Sequence, residues 1–127
     1  MLDKAYYVYI VASKTRRLYT GFTSKLSNRI WQHKTHIRKG FTDDYCCDRL
    51  VWTQMFDNPF DAIAREKQIK GWLRKRKLEL IQEENPSWED LAKDWFDAED
   101  VQRARIANGD KRISPTQVQR ECHPEGA

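Results

Sequence analysis

Apolar residues in the first half of the chain form three short runs that predict β-strands. Residues 5–12 are aromatic or β-branched almost throughout, which is typical of a largely buried strand. A short polar connection leads to a second run at 18–22, so these two runs are expected to form a β-hairpin. A register that sets Tyr9 opposite Tyr19 would project both rings from one face of the sheet. Residues 49–56 are the third strand candidate, with a less regular alternation.

A helical period of apolar residues follows the hairpin. It is carried by Leu26, Ile30, His33 and Ile37. Thr23 or Ser24 can cap this helix, which is expected to run to about Arg38. Arg29 and His33 are four residues apart, so they would lie one above the other on one flank of the helix.

Two further helices are predicted after the third strand. Asn58 and Pro59 favour a helix start, because Asn caps the first turn and Pro suits the first helical position. Glu66 falls along the apolar stripe of this helix, where a carboxylate is costly to bury unless it is paired or bound to a metal. Gly71 marks a break, and a second, basic helix is expected at about 73–82.

The C-terminal part is predicted to be helical and then irregular. Residues 87–90 are close to a capping box and are expected to open an amphipathic helix. Its apolar side would carry Trp88, Leu91, Ala92 and Trp95. A short helix is expected after Asp97, and the polar residues beyond it are expected to be disordered. The predicted organisation is therefore a main domain at 1–84, a helical extension packed on it at 85–107 and a disordered tail at 108–127.

Charge is distributed unevenly along the chain, which has 127 residues and a formal net charge of +4. Residues 4–42 contain nine Lys or Arg and no carboxylate, and residues 65–78 contain seven basic residues against one acid. Acidic residues collect instead at 83–100. Two basic blocks favour a surface that binds a polyanion, although a solvated helix face would also account for residues 74–77.

Several classes of protein are disfavoured by the same sequence. No run approaches the roughly 20 apolar residues of a membrane span, and the first residues lack the features of a signal peptide. The three cysteines include no C-x-x-C pair, which argues against a zinc site. A cytoplasmic protein without a membrane partner is expected.

Phosphodiester hydrolysis requires a group that deprotonates or orients water, and stabilisation of the charge on phosphorus oxygens. Arginine suits phosphate because its planar fork donates two parallel hydrogen bonds. A carboxylate suits a hard divalent ion such as Mg²⁺, which keeps most of its waters. Five side chains here could supply such groups: Tyr9, Tyr19, Arg29, His33 and Glu66.

These five positions also carry a resemblance to a known family. The tyrosines lie in the triplets Tyr7-Val8-Tyr9 and Tyr19-Thr20-Gly21. With Arg29, His33 and Glu66 at concordant spacing, the chain resembles the GIY-YIG endonuclease superfamily. Residues 65–72 and 85–88 are similar to its small stand-alone bacterial branch. The resemblance covers about residues 4–96, and it implies an α+β fold with a three-stranded antiparallel sheet flanked by helices.

The resemblance also implies roles for the five side chains. Tyr9 would be the general base or a water-orienting phenol, and Tyr19 would be its partner beside the scissile phosphate. Arg29 would stabilise the pentavalent phosphorane. His33 would support the phosphate or help to relay the proton. Glu66 would be the only protein ligand of a divalent metal, Mg²⁺ or Mn²⁺.

Other readings of these positions stay open. Each tyrosine could be a strand aromatic in a core, and Glu66 could form a structural salt bridge to Arg29 or Lys70. Tyr7 stands where the first triplet of the family has glycine. Asn85 would match a polar position near the active site.

The predicted function is a metal-dependent endonuclease acting on DNA, with branched or damaged DNA in repair or recombination as the expected substrate class. Contacts to nucleic acid are expected from Lys14, Arg16, Arg17, Lys25, Lys34, Lys70 and Arg74. One alternative is a catalytically dormant nucleic-acid-binding module. Another is a protein that binds a partner through its acidic segment at 83–107. The sequence leaves the oligomeric state and the cleavage position open.

Overall fold

The chain folds as a three-stranded antiparallel sheet with helices on both faces, which confirms the predicted α+β class. The structure is a computed structural model that describes residues 4–35 and 47–107. Its strands are β1 (Tyr6–Ala12), β2 (Leu18–Thr23) and β3 (Arg49–Phe56). The described helices are α1 (Leu26–Lys34), α2 (Pro59–Lys70), α3 (Arg74–Glu84) and α4 (Ala98–Ala107).

The central strand of the sheet is β1, which pairs antiparallel with β2 on one side and β3 on the other. Residues 8–12 are almost completely buried, which explains the unbroken apolar run. On one face, β1 packs against α2 and α3 through Val8, Ile10, Ala62, Ile69, Leu80 and Ile81. On the other face, it packs around α1 through Tyr9, Val11, Ile30 and Leu50.

The register of the hairpin differs from the predicted one. Tyr9 pairs with Gly21, not with Tyr19. The loop between the strands is five residues long, because Ala12 and Leu18 form the last strand pair. The pairing is shifted by two positions from the Tyr9–Tyr19 register. Because side chains alternate with a period of two, Tyr9 and Tyr19 still project from the same face of the sheet.

The start of α1 also differs from the prediction. The helix begins at Leu26, and neither Thr23 nor Ser24 caps it. The Thr23 hydroxyl instead accepts the backbone N–H of Lys25 at 2.9 Å, which tightens the turn between β2 and the helix. The helix ends at Lys34, with Thr35 as its C-cap, which is earlier than the predicted end near Arg38; Arg38 itself lies outside the described residues.

The start of α2 is confirmed. The side-chain oxygen of Asn58 accepts the backbone N–H groups of Phe60 and Asp61, at 2.7 and 3.3 Å, and Pro59 is the first helical residue. The helix ends before Gly71, and the predicted basic helix follows as α3. No helix in the described segments is both long and apolar enough to cross a membrane.

The amphipathic helix predicted from residue 87 is wrong, because residues 87–96 form a series of turns. The carboxylate of Asp90 is the main reason. It accepts the backbone N–H groups of Leu50 and Ala92, both at 3.0 Å, and it pairs with Lys34 at 2.5 Å. These bonds tie the segment to β3 and α1, and they replace the helical hydrogen bonds that residue periodicity alone would favour.

The last described helix, α4, begins as predicted after Asp97, whose carboxylate accepts the N–H of Glu99 at 2.8 Å. Arg105 anchors this helix to the rest of the protein. Its guanidinium pairs with Asp48 at 2.9 Å and is only 7% exposed. The predicted tail at 108–127 lies outside the described residues.

Candidate active site

The centre of the candidate site is a buried hydrogen bond between β1 and α1. The Tyr9 hydroxyl lies 2.9 Å from Nε2 of His33, and both residues are buried. Side chains alternate between the two faces of a strand, and Tyr9 lies on the face of β1 that packs against α1. His33 points back at it from the last turn of α1. The bond gives the Tyr9 hydroxyl and Nε2 of His33 a buried partner each, which lowers the cost of burying these two polar atoms.

Tyr19 completes a cluster of three rings. Its centroid lies 6.5 Å from that of Tyr9 and 5.7 Å from that of His33, and Tyr9 and His33 are themselves 5.5 Å apart. Tyr19 is half-buried, whereas Tyr9 has no exposed surface. We call Tyr9, Tyr19 and His33 the tyrosine–histidine cluster. Tyr19 is therefore the tyrosine of this cluster that solvent or a substrate can reach.

Gly21 makes room for the ring of Tyr9. A Cβ atom at this position would lie 2.4 Å from both Cζ and Oη of Tyr9, far closer than two non-bonded atoms can approach. The two residues are direct strand partners, so the phenol lies across the backbone of Gly21. The second triplet thus needs glycine for a packing reason, which the sequence analysis did not identify.

Glu66 reaches the edge of the cluster through Lys70. Its carboxylate pairs with the Lys70 ammonium at 2.8 Å, and that ammonium lies 5.9 Å from the centroid of the Tyr19 ring. Of the two salt-bridge partners considered from the sequence, Lys70 is the one observed. The Glu66 side chain is 17% exposed, whereas that of Lys70 is 49% exposed. The carboxylate is therefore the more buried member of the pair, and the Lys70 side chain is the one that reaches solvent.

A single divalent ion fits the chemistry of this position. An ammonium group already lies against the Glu66 carboxylate, so the carboxylate faces a space that a cation can occupy. In the described part of the chain, no group of three or more His, Cys, Asp or Glu side chains could hold a metal. One carboxylate suits an ion such as Mg²⁺, which retains several waters and is commonly bound by one or two carboxylates together with substrate phosphates.

Arg29 lies one helical turn before His33 on α1 and is half-buried. It lines an open cleft together with Phe22, Lys25 and Gln32. Within the described residues, its guanidinium makes no hydrogen bond or ion pair. All of its donors are thus available to a phosphate group, which is the partner that a guanidinium fork fits best.

Two further predicted site residues lie outside the cluster. The Asn85 amide donates to the carbonyl oxygens of Val51 and Glu89, at 3.1 and 2.9 Å, and accepts the N–H of Glu89. These bonds use both of its donors, so Asn85 fixes the turn after α3 instead of facing a substrate. Tyr7 is half-buried on β1 and lines a groove with the first residues of α1 and with Trp95.

The predicted nucleic-acid contacts divide into exposed and internal groups. Lys34 is internal: its ammonium pairs with Asp90 and donates to the backbone oxygen of Asp48 at 3.0 Å, and only 13% of the side chain is exposed. Its prediction as a nucleic-acid contact does not fit this position. The exposed members are Lys14, Arg16, Lys25, Lys70 and Arg74, and Arg17 is half-buried.

Arg16 and Arg74 contact each other across the surface. The guanidinium of Arg74 donates to the backbone oxygen of Arg16 at 2.7 Å, and that of Arg16 lies over the Trp88 ring at 4.3 Å. The sequence analysis missed the internal pairs Lys34–Asp90 and Arg105–Asp48. Their partners are 56 and 57 residues apart, so no local pattern could reveal them.

Comparison with known proteins identifies the family. A model described as the GIY-YIG catalytic domain matches residues 5–79. The UPF0213 protein of Staphylococcus saprophyticus is 38% identical over 82 residues, which are 65% of this chain and 99% of that relative. The UPF0213 protein of Clostridium perfringens is 35% identical over 88 residues, 69% of this chain and 95% of that relative.

A solved structure is also similar. The solution NMR structure of the UPF0213 protein from Bacillus halodurans is 26% identical, covers 71% of this chain and 97% of its own, and has a TM-score of 0.45. The family match spans the sheet, α1, α2 and the first part of α3. It therefore includes the tyrosine–histidine cluster, Arg29 and Glu66. The chain belongs to the GIY-YIG family, whose catalytic domain suggests nuclease activity.

Proposed function

We propose that this protein is a metal-dependent endonuclease that hydrolyses phosphodiester bonds in DNA. The observation that carries the proposal is the buried hydrogen bond between Tyr9 and His33, beside Tyr19 and the Glu66–Lys70 pair. A tyrosine joined to a histidine can pass on a proton, which a tyrosine in a purely apolar core cannot do.

The proton relay begins with an unprotonated His33 that accepts the Tyr9 hydroxyl proton. As water attacks phosphorus, the Tyr19 oxygen takes the proton of the water and passes its own hydroxyl proton to the Tyr9 oxygen, whose proton moves to Nε2 of His33. Tyr9 is fully buried, so Tyr19 provides the contact between the relay and the attacking water. The resulting hydroxide forms the new P–O bond as the bond to the leaving oxygen breaks.

The remaining side chains stabilise charge. Arg29, with its donors available, binds the oxygens of the phosphorane. Glu66 would hold the divalent ion in place of its present partner, the Lys70 ammonium. When bound, the ion supplies a Lewis acid that neutralises charge on the scissile phosphate and the leaving oxygen.

Exposed cations in both basic blocks of the sequence support a nucleic-acid substrate, which we propose to be DNA. We further propose branched or damaged DNA as the substrate class, a role in repair, and a cytoplasmic location. The catalytic unit is proposed to be residues 1–84, with 85–107 as an extension fastened by Asp90 and Arg105.

The proposal is tested by incubating the protein with branched, single-stranded and duplex DNA in Mg²⁺, Mn²⁺ or EDTA. Cleavage of at least one substrate is expected with either metal and not with EDTA. Binding without cleavage of any substrate would overturn the enzyme and support the dormant binding module. Cleavage that persists undiminished in EDTA would overturn the metal dependence.

A further inference from the structure

A small polar cavity lies beneath the β1–β2 loop, on a different part of the surface from the tyrosine–histidine cluster. Its volume is about 160 Å³, and its lining includes Lys14, Arg16, Arg49, Ser87 and Trp88. Among the described residues that line it there are three cations and no carboxylate. This composition suits an anion with several oxygens.

The backbone on both sides of the cavity is strained. Arg16 has a φ of 67° and Trp88 a φ of 54°, and both are non-glycine residues in the left-handed region. Such conformations cost on the order of 1 kcal/mol or more each and persist only when surrounding contacts enforce them. Here the Arg16 guanidinium stacks on Trp88, and Arg74 holds the carbonyl oxygen of Arg16. These contacts hold the Arg16 guanidinium beside the cavity.

The charge of Arg49 is uncompensated. Within the described residues, its guanidinium makes no hydrogen bond or ion pair, although the residue is half-buried. The neighbouring groove that it also lines contains the carboxylates of Asp48, Asp90 and Glu99. Asp48 and Asp90 pair with Arg105 and Lys34, and within the described residues Glu99 makes no ion pair with Arg49. A partly buried cation without a partner is costly, and a bound anion would remove that cost.

The cavity is connected to the candidate active site by a strip of basic residues. Lys70, at the end of α2, contacts Glu66 and lies near Tyr19. Arg74, at the start of α3, is four residues further on and contacts Arg16 at the cavity. A polyanion that reaches Tyr19 can therefore continue over Lys70 and Arg74 to Arg49.

We propose that this cavity binds a phosphate group, namely a backbone phosphate of the substrate distinct from the scissile one. The inference rests on the proposed function. It adds a minimum length to the substrate, because the DNA must extend from the point of cleavage as far as this second phosphate site. A free phosphate ion has the same chemistry and is the alternative source.

The first arm of the test measures DNA binding by fluorescence anisotropy in EDTA, over a range of salt concentrations. Arg49→Gln should weaken binding roughly tenfold and lower the slope of log K against log salt by about one. Lys75→Gln is the matched control, since Lys75 is exposed on α3 and does not line the cavity. Lys14→Gln should also weaken binding. Agreement between the two variants would show that the loss does not come from a folding defect in one of them.

The second arm titrates inorganic phosphate and follows the thermal unfolding midpoint. If phosphate stabilises the wild type but not Arg49→Gln, while DNA binding is unchanged, the site takes a free phosphate. If Arg49→Gln matches Lys75→Gln in both arms, the phosphate site is overturned. These measurements do not depend on cleavage. A protein that binds through Arg49 but never cuts would overturn the endonuclease and leave this inference standing.

Discussion

Close contact between Tyr9 and Gly21 shows how single residues determine the candidate site. The phenol can lie where it meets His33 only because its strand partner has no side chain. The ring has no exposed surface, so it cannot move into solvent to relieve a clash. The position of the hydroxyl is therefore set by packing as much as by its hydrogen bond.

Gly21→Ala should displace the Tyr9 ring, break its bond with His33 and destabilise the protein by about 1–3 kcal/mol, the usual cost of overpacking. Thermal unfolding and a cleavage assay would measure the two effects. Gly71→Ala is the control, because a Cβ there would meet only carbonyl oxygens at 3.6 Å. A stable and fully active Gly21→Ala protein would contradict the role assigned to this contact.

Tyr9→Phe removes one oxygen atom from the relay and keeps the ring. Its cleavage rate should fall about 10²–10⁴-fold, the usual contribution of a positioned acid or base. Tyr19→Phe should cause a comparable loss, because Tyr19 is proposed to contact the water. Single-turnover rates would test this, with Tyr6→Phe as a control on the opposite face of the sheet. Wild-type rates for both variants would rule out the tyrosine relay.

At the scale of elements, the turns at 85–97 fasten the C-terminal part to the sheet. Asp90 joins this segment to β3 through Leu50 and to α1 through Lys34. Lys34 and Asp90 are 13% and 18% exposed, so water screens this pair only weakly. The turns at 85–97 are therefore an integral part of the fold and do not form a separate helix.

Asp90→Ala should lower the free energy of unfolding by on the order of 3 kcal/mol, because it leaves the Lys34 ammonium without its carboxylate. Chemical denaturation would measure the change. Asp94→Ala, on the exposed side of the same segment, should change stability by less than about 0.5 kcal/mol. Equal effects of the two substitutions would refute the anchoring role of Asp90.

The elements that the sequence predicted correctly are those set by local signals. The three strands follow from short apolar runs, of which the first is β-branched and aromatic, and the start of α2 follows from Asn58 and Pro59. The helix predicted from residue 87 failed because Asp90 bonds to Leu50, 40 residues away. The spacing of the triplets was enough to identify the two tyrosines as candidate site residues. The Tyr9–His33 hydrogen bond and the need for glycine at position 21 depend on tertiary contacts, so only the structure shows them.

At the scale of the whole molecule, exposed cations run from the tyrosine–histidine cluster to the β1–β2 loop. This strip comprises the exposed Lys70, Arg74 and Arg16 and ends at Arg49, which is half-buried. Lys34 and Arg105 are instead neutralised inside the fold. Sequence composition predicted a basic surface but could not separate these two groups, since pairing depends on tertiary contacts. Lys70 and the Glu66 carboxylate lie at the candidate active site, whereas Arg16 and Arg49 lie at the cavity beneath the β1–β2 loop.

The most direct test of the central claim is the single-turnover cleavage rate of Glu66→Gln in saturating Mg²⁺. The amide keeps the size of the side chain and removes the negative charge, so the rate should fall at least about 100-fold. Glu79→Gln, on the exposed side of α3, should cleave like the wild type. Undiminished cleavage by Glu66→Gln would contradict a metal-dependent endonuclease built on Glu66.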